Sequence, residues 1–137
     1  MSITLTTLNS KYIHTNLAIR YLKANAPAFD IKLKEYTLKD TLENIANDLL
    51  ATNPKIIGFS VYIWNVEKTL TLINMLKEKD PTLTILMGGP EVSYDFDVWF
   101  SRCAIDYIIY GEGELSFREL MEALHGQRDI TTVRGIV

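Results

Sequence analysis

The run Ile56-Ile57-Gly58-Phe59-Ser60-Val61-Tyr62-Ile63-Trp64-Asn65 constrains this chain more than any other stretch. Its first half is apolar with no polar alternation. That is the pattern of a strand covered on both faces, as in a parallel sheet held between helices. Pro54 stops whatever precedes it, and Asn65 is a residue type suited to capping the periodic segment that follows. The run therefore reads as a central strand, a short loop and the start of a helix. Ligands in open α/β sheets bind beyond the carboxyl ends of such strands, so residues 60–65 are the first place to seek a site.

The rest of the chain repeats this alternation. Residues 2–8 alternate β-branched and apolar types and read as a first strand, followed by the polar loop Asn9-Ser10-Lys11-Tyr12-Ile13-His14-Thr15-Asn16. A helix then places Leu17, Ala18, Tyr21 and Leu22 on one face and ends near Pro27. Residues 31–36 form a second strand whose Lys32 and Lys34 alternate with apolar positions, which suits an edge. Asp40 and Glu43 have the spacing of a capping box, and Leu42, Ile45, Ala46, Leu49 and Leu50 make the stripe of an amphipathic helix.

After the central strand, Val66, Leu70, Ile73 and Leu76 mark a helix closed before Pro81. Residues 83–87 are a fourth strand running into Gly88-Gly89-Pro90. Residues 94–102 hold a short helix carrying Phe96, Trp99 and Phe100. Residues 105–110 are a fifth strand ending at Gly111-Glu112-Gly113-Glu114, and residues 115–125 are the last helix, with Phe117, Leu120, Met121 and Leu124 inward. Residues 132–137 are strand-like, with no closing element after them. Five β-α units predict a three-layer, doubly wound, flavodoxin-like parallel sheet of order 2-1-3-4-5, with a crevice between the first and third strands.

At 137 residues the chain is long enough for one domain with a real core. Its net charge of −3 argues against a nucleic-acid binder driven by phosphate neutralisation. No apolar run approaches the roughly 18 residues needed to span a bilayer, and the first residues read as a strand rather than a signal peptide. The expectation is therefore no membrane partner and a cytoplasmic location. The single Cys103 excludes an internal disulfide and a cysteine-held cluster, and it reads as buried and inert.

The candidate chemistry is spread over the strand ends. Ser60 brings a hydroxyl to the end of the buried strand, able to bond either a ligand or a neighbouring backbone group. Gly88-Gly89 lets a bulky ligand approach the backbone, or simply makes a turn before Pro90. Gly111 and Gly113 leave room at a helix start, where Glu112 and Glu114 favour the helix dipole but disfavour a phosphate. His14 sits in the first loop with no partner at ligand spacing. Tyr62, Trp64, Tyr94, Phe96 and Trp99 suit a large planar ligand, a partner surface, or packing of the domain's top layer. Neither G-x-x-x-x-G-K-[ST] nor G-x-G-x-x-G occurs, and no Ser/His/Asp or Cys/His constellation is readable.

Taken together, Thr7-Leu8-Asn9-Ser10-Lys11-Tyr12-Ile13-His14, Gly58-Phe59-Ser60-Val61-Tyr62-Ile63-Trp64-Asn65, Gly88-Gly89-Pro90-Glu91-Val92-Ser93 and Gly111-Glu112-Gly113-Glu114 carry a resemblance. The chain resembles the N-terminal cobalamin (B12)-binding domain of B12-dependent radical SAM proteins. The anaerobic magnesium-protoporphyrin IX monomethyl ester cyclase has the same two-domain plan. The resemblance implies a corrin over the carboxyl ends of the sheet and a nucleotide tail in the crevice near Ser60, with Gly88 and Gly89 making space. It implies Asn9, Ser10, Tyr12, His14, Ser60, Tyr62, Trp64, Asn65, Gly88, Gly89, Pro90, Glu91, Gly111, Glu112 and Gly113 as cofactor contacts, and no catalytic residue.

The sequence departs from the D-x-H-x-x-G signature of classical B12 domains. With His14 set on its histidine, Tyr12 stands for the aspartate and Leu17 for the glycine, so the partner that would orient a cobalt-ligating His14 is lost. The resemblance further implies a following radical SAM domain with a [4Fe-4S] cluster and SAM, acting on a substrate the sequence does not name. No C-x-x-x-C-x-x-C occurs here, so residues 1–127 are expected to be the cobalamin-binding unit and residues 128–137 the start of a linker. The competing expectation is a cofactor-free, flavodoxin-like interaction domain. A phosphoryl receiver is disfavoured, because Asn9-Ser10 and Ser60-Val61 supply no acidic cluster.

Overall fold

A computed structural model describes residues 2–9, 17–89, 92–111 and 113–137. Five parallel strands form one sheet: β1 (Ile3–Asn9), β2 (Ile31–Thr37), β3 (Ile56–Ser60), β4 (Thr84–Gly88) and β5 (Tyr107–Ile109). Their order is β2-β1-β3-β4-β5, as the alternation of strands and helices predicts. The helices are α1 (Leu17–Ala24), α2 (Leu42–Leu50), α3 (Val66–Lys79), α4 (Phe96–Arg102) and α5 (Glu114–Leu124). None of the described helices is long and apolar enough to cross a membrane.

The period of two in each strand divides the core. Leu8, Ile57, Phe59, Ile85, Met87 and Ile108 pack with Ile45, Leu49, Leu70, Ile73 and Leu76 from α2 and α3. Ile3, Leu5, Ile56, Leu86 and Ile109 face Ile19, Phe117, Leu120 and Met121 from α1 and α5. The register Leu5↔Gly58 and Gly58↔Leu86 puts a glycine in the middle of the second face, between two leucines. β2 is the edge strand expected from its alternating lysines, with only Ile31 fully buried.

Several local expectations differ from the structure. β1 extends through Asn9 and does not include Ser2, because the ladder to β2 runs on to Asn9↔Thr37. On α1, Ile19 is the buried residue while Ala18 and Tyr21 are exposed. Leu22, one of the expected positions, packs inward with Ile19, and Ala26 just past the helix end joins them. The cap of α2 is Thr41, whose hydroxyl accepts from Asn44 N–H at 3.2 Å. Asp40 instead turns back to accept the Thr37 N–H at 2.9 Å. β5 is only three residues long. Its approach is taken up by Asp106, whose carboxylate accepts Ile85 N–H at 2.8 Å and pairs with Lys77 at 2.8 Å.

The C-terminal segment is a short 3-10 turn (Ile130–Thr132) followed by a single antiparallel bridge, Ile109↔Ile136. Val137 N–H donates to Ile108 at 2.9 Å, and Tyr110 N–H donates to Gly135 at 3.0 Å. This segment covers the outer edge of β5, whose backbone groups would otherwise be unpaired.

Candidate functional site

A cavity of about 460 Å³ opens at the carboxyl edge of the sheet, between α1 and α5. Its size is within the range of roughly 300–1,000 Å³ typical of small-molecule and cofactor sites. Leu5, Gly58, Ser60, Leu86 and Gly88 make the floor, drawn from β1, β3 and β4. Ala18, Ile19 and Leu22 of α1 form one wall, and Ile109, Gly113 and Glu114 the other. Tyr62, Gly89, Ser93, Tyr94 and Gly111 surround the mouth.

Small residues create this space. Gly58, Ser60 and Gly88 lie on one face of adjacent strands, where side chains of ordinary size would fill the gap to the helices. A Cβ on Gly58 would come within 2.7 Å of Leu5 Cδ2 and 3.1 Å of Leu86 Cδ1. Gly89 is required for a second reason. Its φ is +116°, and a Cβ there would sit 2.4 Å from the Val61 carbonyl oxygen. That close approach lets Val61 N–H donate to Gly88 at 2.8 Å, so the ends of β3 and β4 stay tied past the ladder.

Two polar arrangements fix the rim. Ser93 Oγ donates to Gly89 O at 2.9 Å and accepts from Gly111 N–H at 3.4 Å, linking the turns after β4 and β5. Asn65 is 1% exposed and its side chain works below the rim. Its Oδ1 accepts Tyr62 N–H at 2.8 Å, and its Nδ2 donates to Leu8 O at 3.0 Å, with longer contacts of 3.4 Å to Ser60 O and Thr7 Oγ1. Asn65 occupies the N-cap position of α3 but makes no side-chain cap bond. It closes the 62–65 turn and ties β1 to β3 instead. Thr7 Oγ1 adds a bond to Ser60 O at 2.9 Å. The Ser60 hydroxyl lines the cavity, and no described residue hydrogen-bonds to it.

Of the residues singled out in the sequence, Ser60, Tyr62, Gly88, Gly89, Gly111 and Gly113 line this cavity. Asn9 and Asn65 are buried and are not among its lining residues. Trp64 stands outside the lining, stacked on Tyr62 with ring centroids 4.6 Å apart and planes 2° from parallel. Ser10, Tyr12, His14, Pro90, Glu91 and Glu112 lie outside the described residues. Sequence reasoning did not single out Gly58, or Ile19 and Leu22 as walls. An isolated glycine inside an apolar strand is itself a signal of close approach, and Gly58 carried it.

Cys103 is buried among apolar neighbours, and desolvation pushes its thiol pKa up, away from thiolate reactivity. Among the described residues, no group of three or more His, Cys, Asp or Glu side chains is placed to hold a metal ion. The lining is apolar at depth and polar at the mouth. Such a site can seat a large ligand by shape and direct it with a few hydroxyls.

The family profile of the B12 binding domain matches residues 3–121. The chain is 34% identical over 87 residues to the 2-(S-pantetheinyl)-carbapenam-3-carboxylate methyltransferase of Streptantibioticus cattleyicolor, covering 62% of this chain and 13% of that protein. It is 39% identical over 62 residues to the anaerobic magnesium-protoporphyrin IX monomethyl ester cyclase of a Synechocystis species, covering 44% of this chain and 12% of that one. Among solved structures, the cobalamin-dependent S-adenosylmethionine radical enzyme OxsB, with aqua-cobalamin and S-adenosylmethionine bound, superposes with a TM-score of 0.83 at 23% identity. That match covers 98% of this chain and 20% of OxsB. The chain thus spans about an eighth of the length of these two curated relatives.

Proposed function

Because the chain belongs to the B12-binding domain family, we propose that it is the cobalamin-binding module of a radical SAM enzyme, whose whole reaction is methyl transfer or a related radical step. The observation that carries this reading is the cavity at the carboxyl edge, floored by Gly58, Ser60 and Gly88. The residues fit the group: an elongated tail needs a slot with few side chains, and of the floor residues Gly58 and Gly88 bring none and Ser60 only a hydroxyl.

In this reading the chain's own residues bind and orient. Gly58, Ser60 and Gly88 receive the nucleotide tail between α1 and α5, and the Ser60 hydroxyl is the polar group available to it on the floor. Tyr62, Gly89 and Gly111, at the mouth, would hold the ring side of the cofactor, with Trp64 bracing Tyr62. Asn65 holds the turn that carries Tyr62. Bound cobalamin supplies a cobalt centre able to carry a methyl group. Residues 1–127 form the binding unit, and residues 128–137, the last three of them paired beside β5, lead toward a radical SAM domain that holds a [4Fe-4S] cluster and SAM.

Titrating hydroxocobalamin into the purified chain tests this. A shift in the visible spectrum and co-elution on desalting are expected, and Ser60→Trp should weaken both by filling the slot. A folded chain that gives neither signal overturns the reading and leaves a cofactor-free interaction domain. In the full gene, three cysteines at C-x-x-x-C-x-x-C spacing soon after Val137 are expected.

A further inference from the structure

The cavity has a gradient of polarity along its length. Gly58 lies two residues before Ser60 on β3, so the row Leu5–Gly58–Leu86 is about 7 Å deeper than the Ser60 row. The backbone groups of that row belong to the ladders between β1, β3 and β4. Ile19, Leu22 and Ile109 close the sides. The hydroxyl and carboxylate groups of the lining, on Ser60, Tyr62, Ser93, Tyr94 and Glu114, all come from the strand ends, the loops after them and the first residue of α5. The described residues that line the deep end, Leu5, Gly58, Leu86, Ile19, Leu22 and Ile109, carry alkyl side chains or none.

We propose that this deep end selects among corrinoids by their tail base, taking an apolar aromatic base in preference to a purine. This rests on the cobalamin-binding reading above. An adenine pushed into the alkyl row would lose water from its amine and ring nitrogens and gain no partner in return. A phenolic or dimethylbenzimidazole ring presents methyl and C–H edges there and loses little. A slot lined by alkyl groups discriminates by what it leaves unpaired, and the expected preference is about tenfold or more.

The test measures affinities of the purified chain for three probes by visible absorption and equilibrium dialysis: p-cresolylcobamide, adeninylcobamide and cobinamide. The first two carry bases that bind cobalt weakly or not at all, so base dissociation does not bias the comparison. The expected order is p-cresolylcobamide tightest, adeninylcobamide about tenfold or more weaker, and cobinamide weakest or equal to adeninylcobamide. Leu22→Gln puts a donor and an acceptor into the half-buried wall and should narrow the ratio between the first two. Equal affinity for the two base-bearing probes, both above cobinamide, overturns the selectivity and leaves the cofactor reading standing. Equal affinity for all three removes the tail from the cavity. Failure of a folded chain to bind any corrinoid overturns both readings.

Discussion

Replacing Asn65 by alanine is the most informative single change outside the cavity. The amide of Asn65 is buried and makes two short bonds, to Tyr62 N–H at 2.8 Å and Leu8 O at 3.0 Å, with two longer ones of 3.4 Å. Each satisfied bond contributes about 1 kcal/mol net, and an orphaned buried group costs about 1–3 kcal/mol. Losing the pair and leaving the buried Leu8 carbonyl without its donor should therefore destabilise the fold by about 3 kcal/mol. For 137 residues, at about 2.1 cal/mol/K of unfolding entropy per residue, that lowers Tm by about 10 °C. Urea unfolding followed by far-UV circular dichroism gives the free energy, and scanning calorimetry gives the Tm. A loss under about 0.5 kcal/mol, the scale of an ordinary surface substitution, refutes the assignment of Asn65 as the tie between β1, β3 and the 62–65 turn. Asn65→Asp sharpens the test. It keeps the acceptor for Tyr62 but sets a carboxylate against the Leu8 and Ser60 carbonyls. That carboxyl should have a raised pKa, so the variant should recover stability as pH falls toward 4, when it gains a proton to donate.

Other expectations follow from single sites. Gly89→Ala forces a Cβ to 2.4 Å from the Val61 oxygen at φ +116°, and should cost at least about 2 kcal/mol in chemical denaturation and abolish corrinoid retention. Tyr36 bonds Asp48, and burial followed by that carboxylate raises its phenol pKa. The neutral phenol is favoured in the folded state, so this stability is present below about pH 10, the ordinary tyrosine value, and fades as pH rises beyond it. Denaturation from pH 8 to 11 should show a steeper alkaline decline in the parent than in Tyr36→Phe. Asp48 is held below the usual carboxylate range, first by the Tyr36 bond and then by Lys34. Its contribution is present above about pH 4 and is lost as pH falls below it, so Asp48→Asn should flatten the acid limb of the stability curve. The buried Cys103 thiol should react with an aromatic disulfide reagent far more slowly in native buffer at pH 8 than in denaturant, and equal rates would contradict its packing.

Element type and order were legible because they depend on local pattern. The apolar run at 56–61, the heptad-like stripe from Leu42 to Leu50 and the glycines after the fourth and fifth strands each report their own element. Alternation of strands and helices then limits the topology to very few choices, and the observed order is the one it favours. The charged alternation of Lys32 and Lys34 even located the edge strand. That Ser60, Gly88, Gly89, Gly111 and Gly113 all line one cavity has the same origin: strand ends and the loops after them converge in any such sheet.

What only the tertiary structure decided was how neighbouring elements share polar groups and space. Asn65 has the local credentials of a helix cap, yet its Oδ1 accepts from the Tyr62 N–H instead, with its Nδ2 anchored on the carbonyl of Leu8, 57 residues away in sequence. Asp40 and Thr41 contend for the start of α2 within one turn, and the choice follows from which side chain reaches a free N–H. On α1, Leu22 packs inward as expected, but Ile19 is the buried partner and the expected Ala18 is an exposed residue at the cavity wall, a choice set by the cavity between α1 and the sheet. Gly58 shows the division most clearly. Its place in an apolar strand is written in the sequence. That its missing side chain lies between Leu5 and Leu86, and so makes the floor of a slot, depends on the register of β1, β3 and β4, which no local pattern contains.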